Sequence, residues 1–97
     1  MNTRIMSELA EVLHQTRELL ARPGSDFSWS HWNNQEDALR EIDSFARQFE
    51  VGDLSRRQEL ELLFAPTGSL QEVSMNSGWG EEYHMLAEKF DSLIKLV

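Results

Sequence analysis

The chain has no cysteine, only two prolines, and no apolar run near the ~20 residues that a membrane span requires. Without cysteine there is no disulfide framework, the staple that a secreted domain of this size often needs, and no thiolate chemistry. β-Branched residues are scarce, which disfavours a strand-rich fold. Basic residues are also few: 9 Lys and Arg stand against 17 Asp and Glu, for a net charge of −8. Phosphate recognition works through Lys and Arg that release counterions, so this balance argues against a nucleic-acid or anionic-membrane binder. It fits a partner that is itself basic, because complementary potentials speed encounter. Acidity also serves simple solubility, so charge does not single out a partner. The opening stretch has no continuous apolar segment, since Glu8 and Glu11 break the only candidate. No secretory leader is expected, and the expected location is the cytoplasm.

What is present is a chain of 97 residues, 40% of them apolar, which suits one domain (residues 1–97) with one core and leaves no room for a second. Ile5, Leu9, Val12, Leu13, Leu19 and Leu20 recur at helical spacing, so a helix is expected over residues 3–22, stopped by Pro23-Gly24. A second is expected over 33–51. There Asn33 serves as N-cap, Glu36 completes a capping box, and Leu39, Ile42, Phe45, Ala46 and Phe49 face inward. Gly52 closes it. Glu36–Arg40 and Asp43–Arg47 have the spacing of i,i+4 ion pairs on its wet side.

Residues 53–78 admit two readings. Leu60, Leu62 and Phe64 alternate with Glu59 and Glu61, as in one arm of a β-hairpin at about 59–75 that turns at Pro66-Thr67-Gly68. Alternatively Ser55 with Gln58, and Ser69 with Glu72, are capping boxes that open helices over 56–64 and 70–77. The helical reading is preferred, because residues 58–63 are strong helix formers and a lone hairpin is marginal. A last helix runs from Gly80 to the C-terminus with Trp79, Tyr83, Leu86, Phe90, Leu93, Ile94 and Val97 along its stripe. The expected fold is all-α, a compact bundle of four to five helices, with an α+β fold carrying the hairpin as the alternative.

Catalytic and metal-binding patterns are fragmentary. His14, His31 and His84 are scattered singly, without the paired histidines of a zinc helix. Glu81 and His84 form one Glu-x-x-His, where a di-iron bundle needs two plus further glutamates. Ser92-Leu93-Ile94-Lys95 matches Ser-x-x-Lys without its companion motifs, and Gly78-Trp79-Gly80 is a lone Gly-x-Gly with no preceding strand. The expectation is therefore no catalysis, no metal and no cofactor.

The aromatic residues divide into two sets. Phe45, Phe49, Phe64 and Phe90 lie in apolar stripes and read as core. Trp29, Trp32 and Trp79 lie in or beside polar loops, where they either close the ends of a small core or form anchors inside an acidic rim. In the second case the partner-binding residues are Asp26, Trp29, Trp32, Trp79, Glu81 and Glu82.

Two stretches are distinctive together: Asp26-Phe27-Ser28-Trp29-Ser30-His31-Trp32, and Phe64-Ala65-Pro66-Thr67-Gly68-Ser69-Leu70-Gln71-Glu72 leading into Ser77-Gly78-Trp79-Gly80-Glu81-Glu82-Tyr83. They resemble a group of small acidic bacterial proteins of unknown function, which is similar to the single-domain immunity proteins encoded near polymorphic toxins. The resemblance spans most of residues 26–91 and brings no catalytic residues with it. It implies a bacterial cytosolic protein. With the charge, the small size and the loop tryptophans, the expectation is an interaction protein of the toxin-neutralising type that caps a basic partner such as a toxin or nuclease. The alternative expectation is a homo-oligomeric helical adaptor whose loop tryptophans bury against a second copy.

Overall fold

The computed structural model describes residues 3–28, 30–65 and 68–97. The first helix, α1 (Thr3–Leu20), follows its apolar stripe: Met6, Leu9, Ala10, Val12, Leu13, Leu19 and Leu20 are all buried. Thr16 is buried in the same stripe, and its hydroxyl donates to the Val12 carbonyl at 2.8 Å, which removes the cost of taking an oxygen into the core. The helix ends earlier than the stripe alone implies. Pro23 disfavours helical backbone at Arg22, and Gly24 then turns the chain at φ +84°.

The second helix, α2 (Gln35–Glu50), starts one residue later than its expected cap. Asn34, not Asn33, accepts the Asp37 N–H at 2.9 Å, so the cap is Asn34 and Glu36 takes no part in it. At the other end Gly52 adopts φ +76°. The Gly52 N–H reaches the Phe49 carbonyl at 3.1 Å and the Asp53 N–H reaches Gln48 at 2.7 Å, a complete Schellman closure. The wet-side pairing also differs from the expected i,i+4 scheme. Arg40 leans on Asp37 at 3.5 Å, and Asp43 is taken by Arg17 of α1 at 2.8 Å, because α1 and α2 lie side by side.

The ambiguous region is helical. It forms α3 (Arg57–Leu63) and α4 (Ser69–Ser77), and there is no strand among the described residues. Leu60, Leu63 and Phe64 are buried while Leu62 is 71% exposed. A strand would have put Leu60, Leu62 and Phe64 on one face; the observed spacing is that of a helix. Neither expected capping box forms. Asp53 accepts the Ser55 N–H at 2.9 Å in an Asx turn ahead of α3, and Ser69 turns its hydroxyl away from the start of α4 to another partner.

The fifth helix, α5 (Gly80–Ile94), buries Tyr83, Phe90, Leu93 and Ile94, with Leu86 and Val97 half-buried at the edge. Phe64 stacks on Phe90 with ring centroids 4.2 Å apart and on Tyr83 at 5.9 Å, and Trp79 meets Tyr83 edge-on at 6.5 Å. This run of four rings ties α3 to α5. Arg57 adds a polar tie, donating to the carbonyls of Ile94 (2.8 Å) and Val97 at the end of α5. The architecture is a frame of α1 packed against both α2 and α5, with α4 resting on α5. One continuous core runs through it.

Candidate functional site

The loop between α1 and α2 is the least regular part of the molecule, yet it is held by side chains from elsewhere. The Asp26 N–H donates to the Ser77 hydroxyl at 2.7 Å, at the last residue of α4. The His31 N–H donates to the Ser69 hydroxyl at 3.2 Å, at the first residue of the same helix. Asp26 and His31 are therefore fastened at opposite ends of α4. Between these points Asp26 accepts from the Ser28 N–H (2.9 Å) and hydroxyl (2.6 Å). Those two bonds, hydroxyl first, hold the Asp26 carboxyl below the usual carboxylate range.

Of the six residues expected to bind a partner, two are placed against that reading. Trp32 and Trp79 are only 4% and 2% exposed. Each stands beside a polar stretch of sequence, but its indole lies inside. Trp32 packs against His31 at 4.6 Å and Phe27 at 6.4 Å, and Trp79 packs against Tyr83. The polar neighbours are the loop's own hydrogen-bonding groups, and the large apolar ring is what they close over. These two side chains are core, not anchors on an open patch. Trp29 lies outside the described residues.

The acidic residues do gather. Arg22, just after α1, donates to Glu82 at 2.9 Å, and Asp26 is fastened to Ser77, so Asp26, Glu81 and Glu82 share the corner where α4 gives way to α5. The bond from Arg22 is the main reason the Glu82 carboxyl sits below the usual range. From this corner a groove runs between α1 and α5. Glu11, Glu18 and Glu82 line it with Leu19 and Leu86, Arg22 and Lys89 stand on the same walls, and Met85 is 72% exposed in it. Sequence reasoning put Met85 on no face. Its signal is that it falls between Glu82 and Lys89, off the stripe of Tyr83, Leu86 and Phe90.

At the opposite end of α4, His31 is the centre of a second cluster. Its Nδ1 lies 2.6 Å from the Ser69 hydroxyl and its Nε2 lies 3.2 Å from a Glu41 carboxylate oxygen on α2. A shallow hollow on one side is lined by Gly68, Leu62 and Leu63. On the other side stand Arg40, Arg47 and Arg56, and Arg56 lies 4.2 Å over the Phe45 ring while donating to Ser44 and Glu59. No motif scan finds this group, because its members are 10 and 38 residues apart in sequence.

No group of three or more metal-ligating side chains occurs among the described residues, and none of their helices is long and apolar enough to cross a membrane. Glu81, His84, Ser92 and Lys95 are all exposed on α5 and its end, and His84 pairs with Glu88 at 3.0 Å. The fold and surface define a small all-α domain with a groove of mixed charge between α1 and α5 and a histidine-centred cluster at the start of α4. Comparison with family models, curated proteins and solved structures finds no match for the chain.

Proposed function

We propose that the domain is a protein-binding module of the toxin-neutralising type, a cytoplasmic protein that covers part of a basic partner. The observation that carries this reading is the groove between α1 and α5, where an exposed methionine lies beside Glu11 and Glu18, with Lys89 and the Arg22–Glu82 pair on the same walls, on a chain of net charge −8. The chain's net negative charge, with Glu11 and Glu18 at the groove, steers a cationic surface toward it. Met85, unbranched and polarisable, supplies an apolar contact that adapts to what arrives. The homo-oligomeric alternative draws no support from Trp32 and Trp79, which are already buried within one chain.

The test is co-purification with the product of the adjacent gene, followed by affinity measurement at low and high salt. A stable complex is expected, weakening as salt rises, with Met85→Asp and Glu18→Lys each raising Kd by about 10-fold or more. If the neighbouring product is not toxin-like and nothing basic binds, the proposal fails. If a complex forms but ignores both substitutions, the groove is not its site.

A further inference from the structure

We propose that Ser69, His31 and Glu41 form a proton relay that makes Ser69 a nucleophile toward small acyl esters. This activity is separate from the groove between α1 and α5 and lies at the other end of α4.

The argument starts from the direction of each hydrogen bond. An ionised carboxylate only accepts, so Glu41, 3.2 Å from Nε2, requires the proton of a neutral imidazole to sit on Nε2. Nδ1 is then a lone pair, and the group offered to it at 2.6 Å among the described residues is the Ser69 hydroxyl. The serine must donate. The acid fixes the tautomer, and the tautomer aims the base at the hydroxyl proton, which is the logic by which a serine is activated. The His31 backbone N–H also donates to Ser69 Oγ, at 3.2 Å, and favours negative charge developing there. One Oγ lone pair is left for attack.

The surroundings suit an acyl group. Gly68 and Leu63 floor the hollow beside Ser69, and Leu62, 71% exposed, forms an apolar wall. Gly68 cannot be replaced without moving the backbone: a Cβ there would lie 2.5 Å from the Leu62 carbonyl oxygen and 2.6 Å from that of Leu63. That contact fixes Ser69 at the first position of α4. Glu59 also lines the hollow, its carboxylate held by Arg56 at 3.1 Å. The start of α4 favours negative charge on an acyl oxygen placed near Ser69.

In the reaction Ser69 Oγ bonds to the acyl carbon as its proton passes to His31 Nδ1. The adduct collapses, the bond to the leaving oxygen breaks, and the departing alcohol takes that proton. Water then attacks the acyl-serine while giving a proton to Nδ1. That proton returns to Oγ as the carboxylic acid leaves.

The experiment treats the full chain with a fluorophosphonate probe and with p-nitrophenyl acetate, and locates adducts by intact mass and peptide mapping. The expected result is one adduct, on Ser69, forming about 100-fold faster than on the exposed Ser7 or Ser92. Ser69→Ala removes it. Nitrogen–proton correlation spectra should show His31 protonated on Nε2. In Glu41→Gln the side-chain amide can donate to Nε2, so the proton moves to Nδ1 and labelling falls about 100-fold or more, whereas Glu41→Asp retains the Nε2 tautomer. Far-UV circular dichroism of each variant shows that the fold is kept; Glu41 changes remove no tie between the loop and α4. The proposal is overturned if folded wild-type protein labels Ser69 no faster than Ser92, if His31 carries its proton on Nδ1, or if Glu41→Gln labels as fast as wild type. In those cases Ser69 is a clamp for the loop and nothing more.

Discussion

Tyr83 brings a hydroxyl into the core, between the rings of Trp79 and Phe64, where it has no hydrogen-bond partner among the described residues. A buried donor left unmade costs the desolvation of the group without the return of a bond. Tyr83→Phe removes that oxygen and keeps the ring, so it should stabilise the fold by about 1 kcal/mol, read from urea unfolding at pH 7. The same hydroxyl predicts an alkaline limit. Burial, with the Asp91 charge adding to it, pushes the phenol well above its ordinary value, while the unfolded chain gives up its proton near pH ~10. Above that pH the unfolded state binds fewer protons than the folded one, so stability must fall as pH rises further. A Tyr83→Phe variant should not show that phenol-linked decline. Trp32 and Trp79 share the predicament, since neither indole N–H has a partner among the described residues. Nothing in the sequence separates a tryptophan that donates outward from one that does not. That is why the two could be read as anchors when they are core.

At the scale of the element, the sequence carried the helices further than it carried their joints. The stripes of α1, α2 and α5 are periodic enough that nearly every expected inward residue is buried or half-buried. What separated helix from hairpin in residues 58–75 was helix propensity, and the exposure of Leu62 between buried Leu60 and Leu63 shows why it sufficed. Caps were less legible because adjacent candidates compete. Asn33 and Asn34 are the same side chain one position apart, and only the route of the loop decides which one meets the helix. Asn34→Ala should cost about 1 kcal/mol and Asn33→Ala close to nothing, compared by thermal unfolding of the two variants. Equal costs would mean that the helix starts elsewhere. Ser69 shows the same limit in a sharper form. Its capping signature is correct in spacing, but a histidine 38 residues earlier in sequence takes the hydroxyl. A residue's local pattern holds until a distant partner makes a better bond, and the cluster around His31 consists wholly of such partners.

For the whole molecule, charge and connectivity have separate consequences. Asp26 and Asp53 are held below the usual carboxylate range by Ser28 and Ser55, and Glu82 chiefly by Arg22. Their contribution is present above the unfolded-state values and is lost as pH falls through the folded ones, so the urea midpoint should hold from pH 7 to 5 and drop below about pH 4. Partial relief comes first, because the net negative charge shrinks toward the pI near 4.7 before the Lys, Arg and His charges dominate. Asp26→Asn should flatten part of that drop, and an unchanged acid profile would show that its bonds to Ser28 do not survive in solution. The connectivity acts through time. α1 and α2 are neighbours in sequence and pair locally, but α1 also needs α5, and Arg22 meets Glu82 across 60 residues. During synthesis the first two helices are therefore complete while the α5-facing side of α1 is still bare. Until α5 has been made and closes over it, that surface is open to any other apolar chain nearby. Slowing translation just before α5 should lengthen that interval, and loss to aggregation should grow with it.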